Sequence, residues 1–213
     1  VANVNTTGFK KSTVTFQDML SQMLQGAQSA TEEGRGGTNA QQVSLGVQTG
    51  AINNIMTQGA ASTTGKNTDL MIQGEGYFVL TDGNNQYYTR AGAFSLDDTG
   101  NLVTANGMIL CDTDGEAIAL GEGAGNISVS ANGTINYTVS DGDSEEVMIG
   151  LATFTNPAGL IKFGDNLYVE SNSSGGAVVA EPVEQNCTIT AGALEMSNVD
   201  LAQEFVNMIV AER

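Results

Sequence analysis

Residues 69–107 carry three short apolar runs: Tyr77 to Leu80, Ala93 to Leu96 and Leu102 to Thr104. They are cut apart by the turn clusters Asp82-Gly83-Asn84-Asn85, Asp97-Asp98-Thr99-Gly100 and Asn106-Gly107. Runs this short, closed off by Asp, Asn and Gly, predict consecutive antiparallel strands. Two further hairpins are signalled at Ala131-Asn132-Gly133-Thr134 and Asp141-Gly142-Asp143, with strands from Val147 to Phe154 and from Asn166 to Glu170. The fold expected is mainly β: an antiparallel β-rich body over residues 69–194, with Phe78, Leu80, Phe94, Leu102, Ile149, Leu151, Phe154 and Leu167 inside it. An extended N-terminal arm and linker (residues 1–68) precedes the body, and the start of a C-terminal helical arm (residues 195–213) follows it.

The arms read differently from the body. Asn3-Val4-Asn5-Thr6-Thr7-Gly8-Phe9 is too rich in Asn, Thr and Gly for stable helix. Phe16, Met19, Leu20, Met23 and Leu24 then recur at helical spacing and predict an amphipathic turn or two. Residues 25–42, with Gly34-Arg35-Gly36-Gly37 at their centre, have linker composition, and a loop of that length is usually functional or disordered. Alternation of Val43, Leu45 and Val47 predicts an extended segment up to Thr57. At the other end, Ser197 as N-cap with Asp200 three residues on resembles a capping box. Beyond it Leu201, Phe205, Met208 and Ile209 share one helical face. That face needs a partner: the body, the Phe16 to Leu24 stripe, or a second copy.

Composition removes most chemistry. With no His, the commonest general base and metal ligand is missing, and with it hydrolase triads and most zinc sites. The net charge is −17, and from Ala91 onward only Lys162 and Arg213 face eighteen acids. Such a surface repels phosphate backbones and anionic lipid, which argues against nucleic acid and membrane surfaces as partners. No apolar run approaches the roughly 18 residues that span a bilayer. Gly121-Glu122-Gly123-Ala124-Gly125 holds an acid, lacks a following Lys-Ser/Thr and runs into a strand pattern, so it is no phosphate cradle. Asp112-Thr113-Asp114-Gly115-Glu116 lacks the spaced Glu and flanking helices of a calcium loop and reads as a turn. Cys111 and Cys187, both in strand patterns, fit a disulfide or two buried thiols equally. No catalytic residue, cofactor or metal site is expected.

Four motifs, in order, span nearly the whole chain: Asn3-Val4-Asn5-Thr6-Thr7-Gly8-Phe9-Lys10; Gly74-Glu75-Gly76-Tyr77-Phe78; Tyr88-Thr89-Arg90-Ala91-Gly92-Ala93-Phe94 with Gly100-Asn101-Leu102-Val103; and Leu194-Glu195-Met196-Ser197-Asn198-Val199-Asp200-Leu201 running on to Ala211. Together they resemble the bacterial flagellar hook and distal rod axial proteins. The resemblance implies a non-enzymatic subunit exported unfolded through the flagellar secretion apparatus. Outside the cell it polymerises into a helical tube, in contact with itself and with other axial proteins (rod, hook–filament junction, hook cap). It also implies that the outermost terminal helices of such proteins, which pair as a coiled coil, are absent, so that the chain reads as a fragment. The residues it nominates for subunit contact are Asn3, Asn5, Gly8, Phe9, Phe16, Met19, Leu20, Met23, Arg35, Leu201, Phe205, Met208 and Ile209.

Within the family, the absence of a large additional outer domain fits a rod. The wording Asn198-Val199-Asp200-Leu201 and the pair Lys10-Lys11 resemble a short hook protein, the universal joint between rod and filament, and the expectation leans to hook. The competing class is a secreted β-rich adhesin or carbohydrate-binding module. Against it, Tyr77, Phe78, Tyr87, Tyr88 and Phe94 lie in strand patterns that place them in a core.

Overall fold

The computed structural model describes residues 2–29, 36–37, 39–121, 123–139 and 143–212. They form two compact units. One joins residues 1–11 to residues 56–213, and the other is Ser12–Ile55.

The smaller unit is a long β-hairpin. Strands β1 (Ser12–Asp18) and β2 (Ser21–Gln25) run out, and β3 (Gln41–Ser44) and β4 (Val47–Asn54) return. Strand β1 pairs β4 and β2 pairs β3, both antiparallel, with Met19 N donating to Gly46 O at 2.9 Å between the two ladders. The helical turn expected from Phe16 to Leu24 is therefore overturned. A two-turn helix is marginal in water without a surface to lie on. Here the β-prone residues Ser12-Thr13-Val14-Thr15-Phe16 find a matching extended partner in residues 41–54, which satisfies their backbone groups across the ladder. The extended segment read from Val43, Leu45 and Val47 is present as β3 and β4. Gly34, Arg35 and much of the linker lie outside the described residues.

The larger unit holds β5 (Ala61–Thr63), β6 (Leu70–Gln73), β7 (Tyr77–Thr81), β8 (Gln86–Thr89), β9 (Ser95–Leu96), β10 (Leu102–Val103), β11 (Ile109–Leu110), β12 (Gly125–Val129), β13 (Thr134–Thr138), β14 (Ser144–Met148), β15 (Leu151–Thr153), β16 (Ile161–Gly164), β17 (Leu167–Val169), β18 (Val178–Ala180), β19 (Thr188–Ala191) and β20 (Ala193–Glu195). The helix α1 (Leu201–Glu212) closes the chain. The main sheet has nine strands in the path β16-β17-β8-β7-β11-β10-β9, with β15 joining β7 and carrying β18. Strands β12, β13 and β14 form a separate meander, and β6 pairs β19 while β5 pairs β20. All pairings are antiparallel, as the turn spacing predicted.

Strand β7 is central, which explains its unbroken apolar run: a strand covered on both faces has no polar side to show. Phe78 and Leu80 enter one cluster with Leu70, Phe94, Leu102, Ile149 and Leu151, while Tyr77 and Val79 enter a second with Tyr88, Phe154 and Tyr168. All eight residues expected inside are buried. Phe94 is 1% exposed and meets the Phe78 ring edge-on at 5.3 Å. Strands β13 and β14 pair on either side of the expected turn, whose Asp141 and Gly142 lie outside the described residues. Asp112 closes its turn by accepting from the backbone N–H groups of Asp114 and Glu116. Cys111 and Cys187 are buried free thiols.

Two measurements check this core. Phe94→Ala is expected to cost about 3–5 kcal/mol in chemical denaturation, from lost transfer energy and the cavity left behind. Alkaline titration is the second. Burial pushes the Tyr77 phenol up to about 12 and the Cys111 thiol up to about 11, and it raises Tyr88 and Tyr168 as well. A group with a raised folded-state value stabilises fully below its unfolded value and loses that contribution as pH climbs through the folded one. Lys10 and Lys162, both lowered by burial, run the opposite way, but the raised phenols and thiols outnumber them. Stability is therefore expected to fall between about pH 9 and 12, with phenolate absorbance rising together with loss of the circular-dichroism signal.

Candidate functional site

The two ends of the larger unit meet in a clasp built around one carboxylate. Glu195, at the end of β20, is 1% exposed. Its Oε1 accepts from Lys10 Nζ at 2.5 Å and from Gly59 N–H at 2.8 Å. Its Oε2 lies 3.6 Å from Arg90 Nη1. Lys10 Nζ also donates to Thr57 O at 2.8 Å, and Arg90 Nη2 to Gly74 O at 2.7 Å. The Arg90 guanidinium stands 5.3 Å from the centre of the Tyr77 ring. Burial lowers the Lys10 ammonium from its ordinary value, and the Glu195 carboxylate works against that shift.

Backbone geometry seats the first arm in the clasp. Gly8 N donates to Glu195 O at 2.7 Å. Gly8 has φ +66°, and a Cβ there would sit 2.5 Å from Arg90 C and Ala91 N. Only glycine combines that dihedral with so close an approach. Gly59 is equally constrained, since a Cβ would fall 1.9 Å from Met196 O. Phe9 O accepts from Asn198 N at 3.3 Å, and Lys11 N donates to Asn198 Oδ1 at 2.8 Å. The body grips the same arm: Asn166 Nδ2 donates to Thr7 O, and Lys162 Nζ donates to Lys10 O while standing 5.2 Å from the Phe9 ring. Four of the seven Lys and Arg residues, Lys10, Lys11, Arg90 and Lys162, are gathered here.

The sequence-nominated contact residues divide between places. Gly8 is buried in the clasp and Phe9 half-buried beside it, whereas Asn3 and Asn5 sit on an exposed turn. Phe16, Met19, Leu20 and Met23 lie on the hairpin, 43% to 79% exposed. Leu201, Phe205, Met208 and Ile209 lie on α1, which buries none of its residues. Arg35 lies outside the described residues. The helix start also differs from expectation. Its cap is Asp200, whose Oδ1 accepts from Ala202 N–H at 2.9 Å, while Ser197 Oγ takes Val199 N–H just upstream. The capping-box reading put the cap three residues early because a Ser with a downstream acid matches by spacing whichever of the two caps.

Sequence reasoning missed the charge cluster. Lys10, Arg90 and Glu195 each stand inside a quoted motif, but nothing local says that they meet. The signal that points to them is scarcity, since few cations occur in so acidic a chain.

Comparison with known proteins gives the arrangement a context. A family model described as "Flagellar hook protein FlgE/F/G D1 domain" matches residues 71–137, and one described as "Flagellar basal body rod FlgEFG protein C-terminal" matches residues 190–213. The chain is 44% identical over 216 residues to the flagellar basal-body rod protein FlgG of Bacillus subtilis, covering 100% of this chain and 81% of that protein. The chain belongs to the flagellar hook and rod axial family. FlgG of Caulobacter vibrioides is 36% identical over 219 residues, again covering 100% of this chain and 82% of the relative. The hook protein FlgE of Treponema pallidum is 55% identical, but over 109 residues, 51% of this chain and 23% of that protein. Membership makes the chain a structural subunit of the flagellar hook and basal body and displaces the adhesin reading. The rod alternative is better supported than the lean toward hook, because the rod proteins FlgG match over the whole of this chain and the hook proteins over half of it.

The buried clasp is expected to be more sensitive to substitution than the partly exposed Lys11–Glu204 pair. Glu195→Ala strands Lys10 and Arg90 without a counter-charge and should cost about 3–5 kcal/mol. Lys11→Ala, at a pair 24% and 28% exposed, should cost less than about 1 kcal/mol. Urea titration of both variants checks the contrast.

Proposed function

We propose that this chain is a distal rod subunit of the flagellar basal body. The observation that carries this reading is end-to-end similarity to proteins named as rod subunits, against half-chain similarity to hook proteins. In the proposal the subunit leaves the cell through the flagellar export apparatus and polymerises with itself and with neighbouring axial proteins. A polymer of identical subunits needs unlike surfaces that meet head to tail, since such contacts propagate without closing.

Two features supply those surfaces. The hairpin exposes Val14, Phe16, Leu20, Met23, Leu24, Leu45, Val47 and Ile52, and a two-stranded hairpin with so much bare apolar surface is marginal in water on its own. The helix α1 exposes Leu201, Phe205, Met208 and Ile209 in the same way. Covering both against other subunits couples folding of the arms to assembly. The described hairpin residues carry Asp18 as their sole charge, and its carboxylate accepts from Ser21 and Ser44 hydroxyls. So neutral an arm can approach the acidic body of a neighbour without repulsion. The Gly-rich stretch between β2 and β3 in sequence would then set how neighbours slide.

The test is self-assembly of the full-length gene product, viewed by negative-stain microscopy. Straight tubes are expected, and curved ones would return the chain to the hook reading. Deleting residues 30–39 should leave the body folded while changing tube curvature or stiffness; unchanged tubes would make the linker an inert spacer.

A further inference from the structure

Two adjacent lysines of the first arm make ion pairs of opposite kinds, on either side of the point where α1 leaves the body. Lys10 is 1% exposed and bound to Glu195, also 1% exposed. Lys11 is 24% exposed and reaches Glu204, 28% exposed, at 3.2 Å. Between the two acids, Asn198 is held on three sides. Its Oδ1 accepts from Lys11 N, its N donates to Phe9 O, and its Nδ2 reaches Thr57 O at 3.3 Å and Thr57 Oγ1 at 3.1 Å. The chain is thus fixed to the body as far as Asn198. Asp200 already belongs to the helix, capping it and accepting from Glu204 N at 3.0 Å. Freedom is confined to the short step from Asn198 through Val199 to Asp200.

Apolar packing holds α1 only loosely: none of its residues is fully buried, and its large apolar side chains are 38% to 69% exposed. We infer that Lys11 and Glu204 form a releasable latch that sets the direction in which α1 leaves the body, with Lys10 and Glu195 as its permanent anchor. Lys11 and Glu204 are positioning residues: they act on assembly through the angle of the helix they hold. The division of labour follows from exposure. A buried pair is screened little by salt. A partly exposed one weakens as the Debye length shrinks from about 10 Å at 0.1 M to about 3 Å at 1 M salt. A subunit built this way presents α1 at one angle when the latch is closed and over a range when it is open, with the clasp intact throughout. The inference rests on the assembly reading for its purpose, but its geometry is testable on the chain alone.

The experiment is a distance measurement by pulsed electron resonance between spin labels at Ala211→Cys on α1 and Asn172→Cys on the body, both exposed sites. Cys111 and Cys187, 0% and 1% exposed, are left unlabelled. At low salt a single narrow distance is expected. It should be lost to a broad distribution in Lys11→Gln, in Glu204→Gln and in the parent protein at about 1 M salt. Lys11→Arg and the charge exchange Lys11→Glu with Glu204→Lys should keep it narrow, and the unfolding midpoint should barely move in any of them. Distributions that are the same in the parent, in Lys11→Gln and at high salt would overturn the latch. That result would leave the rod assignment standing, because tube shape is read separately. Curved tubes with an intact salt response would do the reverse.

Discussion

The Glu195 carboxylate, sealed between Lys10 and Arg90, is the contact on which the rest of this molecule depends. The three charges come from residues 10, 90 and 195, so the ion cluster requires parts of the chain far apart in sequence to be brought together. Three desolvated charges are expensive to assemble, and an apolar core of equal volume would often be as stable. What the charges add is uniqueness of placement. A carboxylate that accepts from an ammonium and a backbone N–H through one oxygen, and faces a guanidinium with the other, admits little sliding. Arg90 carries the constraint onward to Gly74 O, just before β7, the strand buried at the centre of the sheet.

From that fixed point outward the molecule changes character. The body places its apolar residues in two clusters on opposite faces of the sheet, and the clasp adds a buried polar joint. The hairpin and α1 each carry exposed apolar residues. That division suits a subunit whose body must hold its shape while its extremities take theirs from neighbours. In the proposed assembly, burial withheld in the free chain would become free energy of association when copies meet.

Charge follows the same plan. The acids are concentrated in the body sequence, where like charge keeps separate copies apart, whereas the described hairpin is nearly neutral. Among the described residues, Lys10, Arg90 and Lys162 are drawn to the clasp, Lys11 is left at the surface beside the helix, and Lys66 lies apart beside Asp69. In the proposed assembly this charge plan would favour contacts between copies at the arms.

Local sequence determined the β body. Turn clusters at Asp82 to Asn85, Asp97 to Gly100 and Asn106-Gly107 end strands by backbone geometry alone, and the solid apolar run at Tyr77 to Leu80 marks a strand buried on both faces. These are short-range effects, so the core residues could be named from the chain. The family, too, was legible in the four ordered motifs. Tertiary structure decided the rest. Phe16 to Leu24 is extended because its partner lies at residues 41–54, and a ladder supplied from a distance outweighs the helical spacing of its side chains. The helix begins at Asp200 rather than Ser197 because Asn198 is held by Phe9, Lys11 and Thr57. Lys10, Arg90 and Glu195 became a site because the fold brings together charges up to 185 residues apart in sequence, and pairing over such a separation leaves no periodicity for a reader of the chain to find.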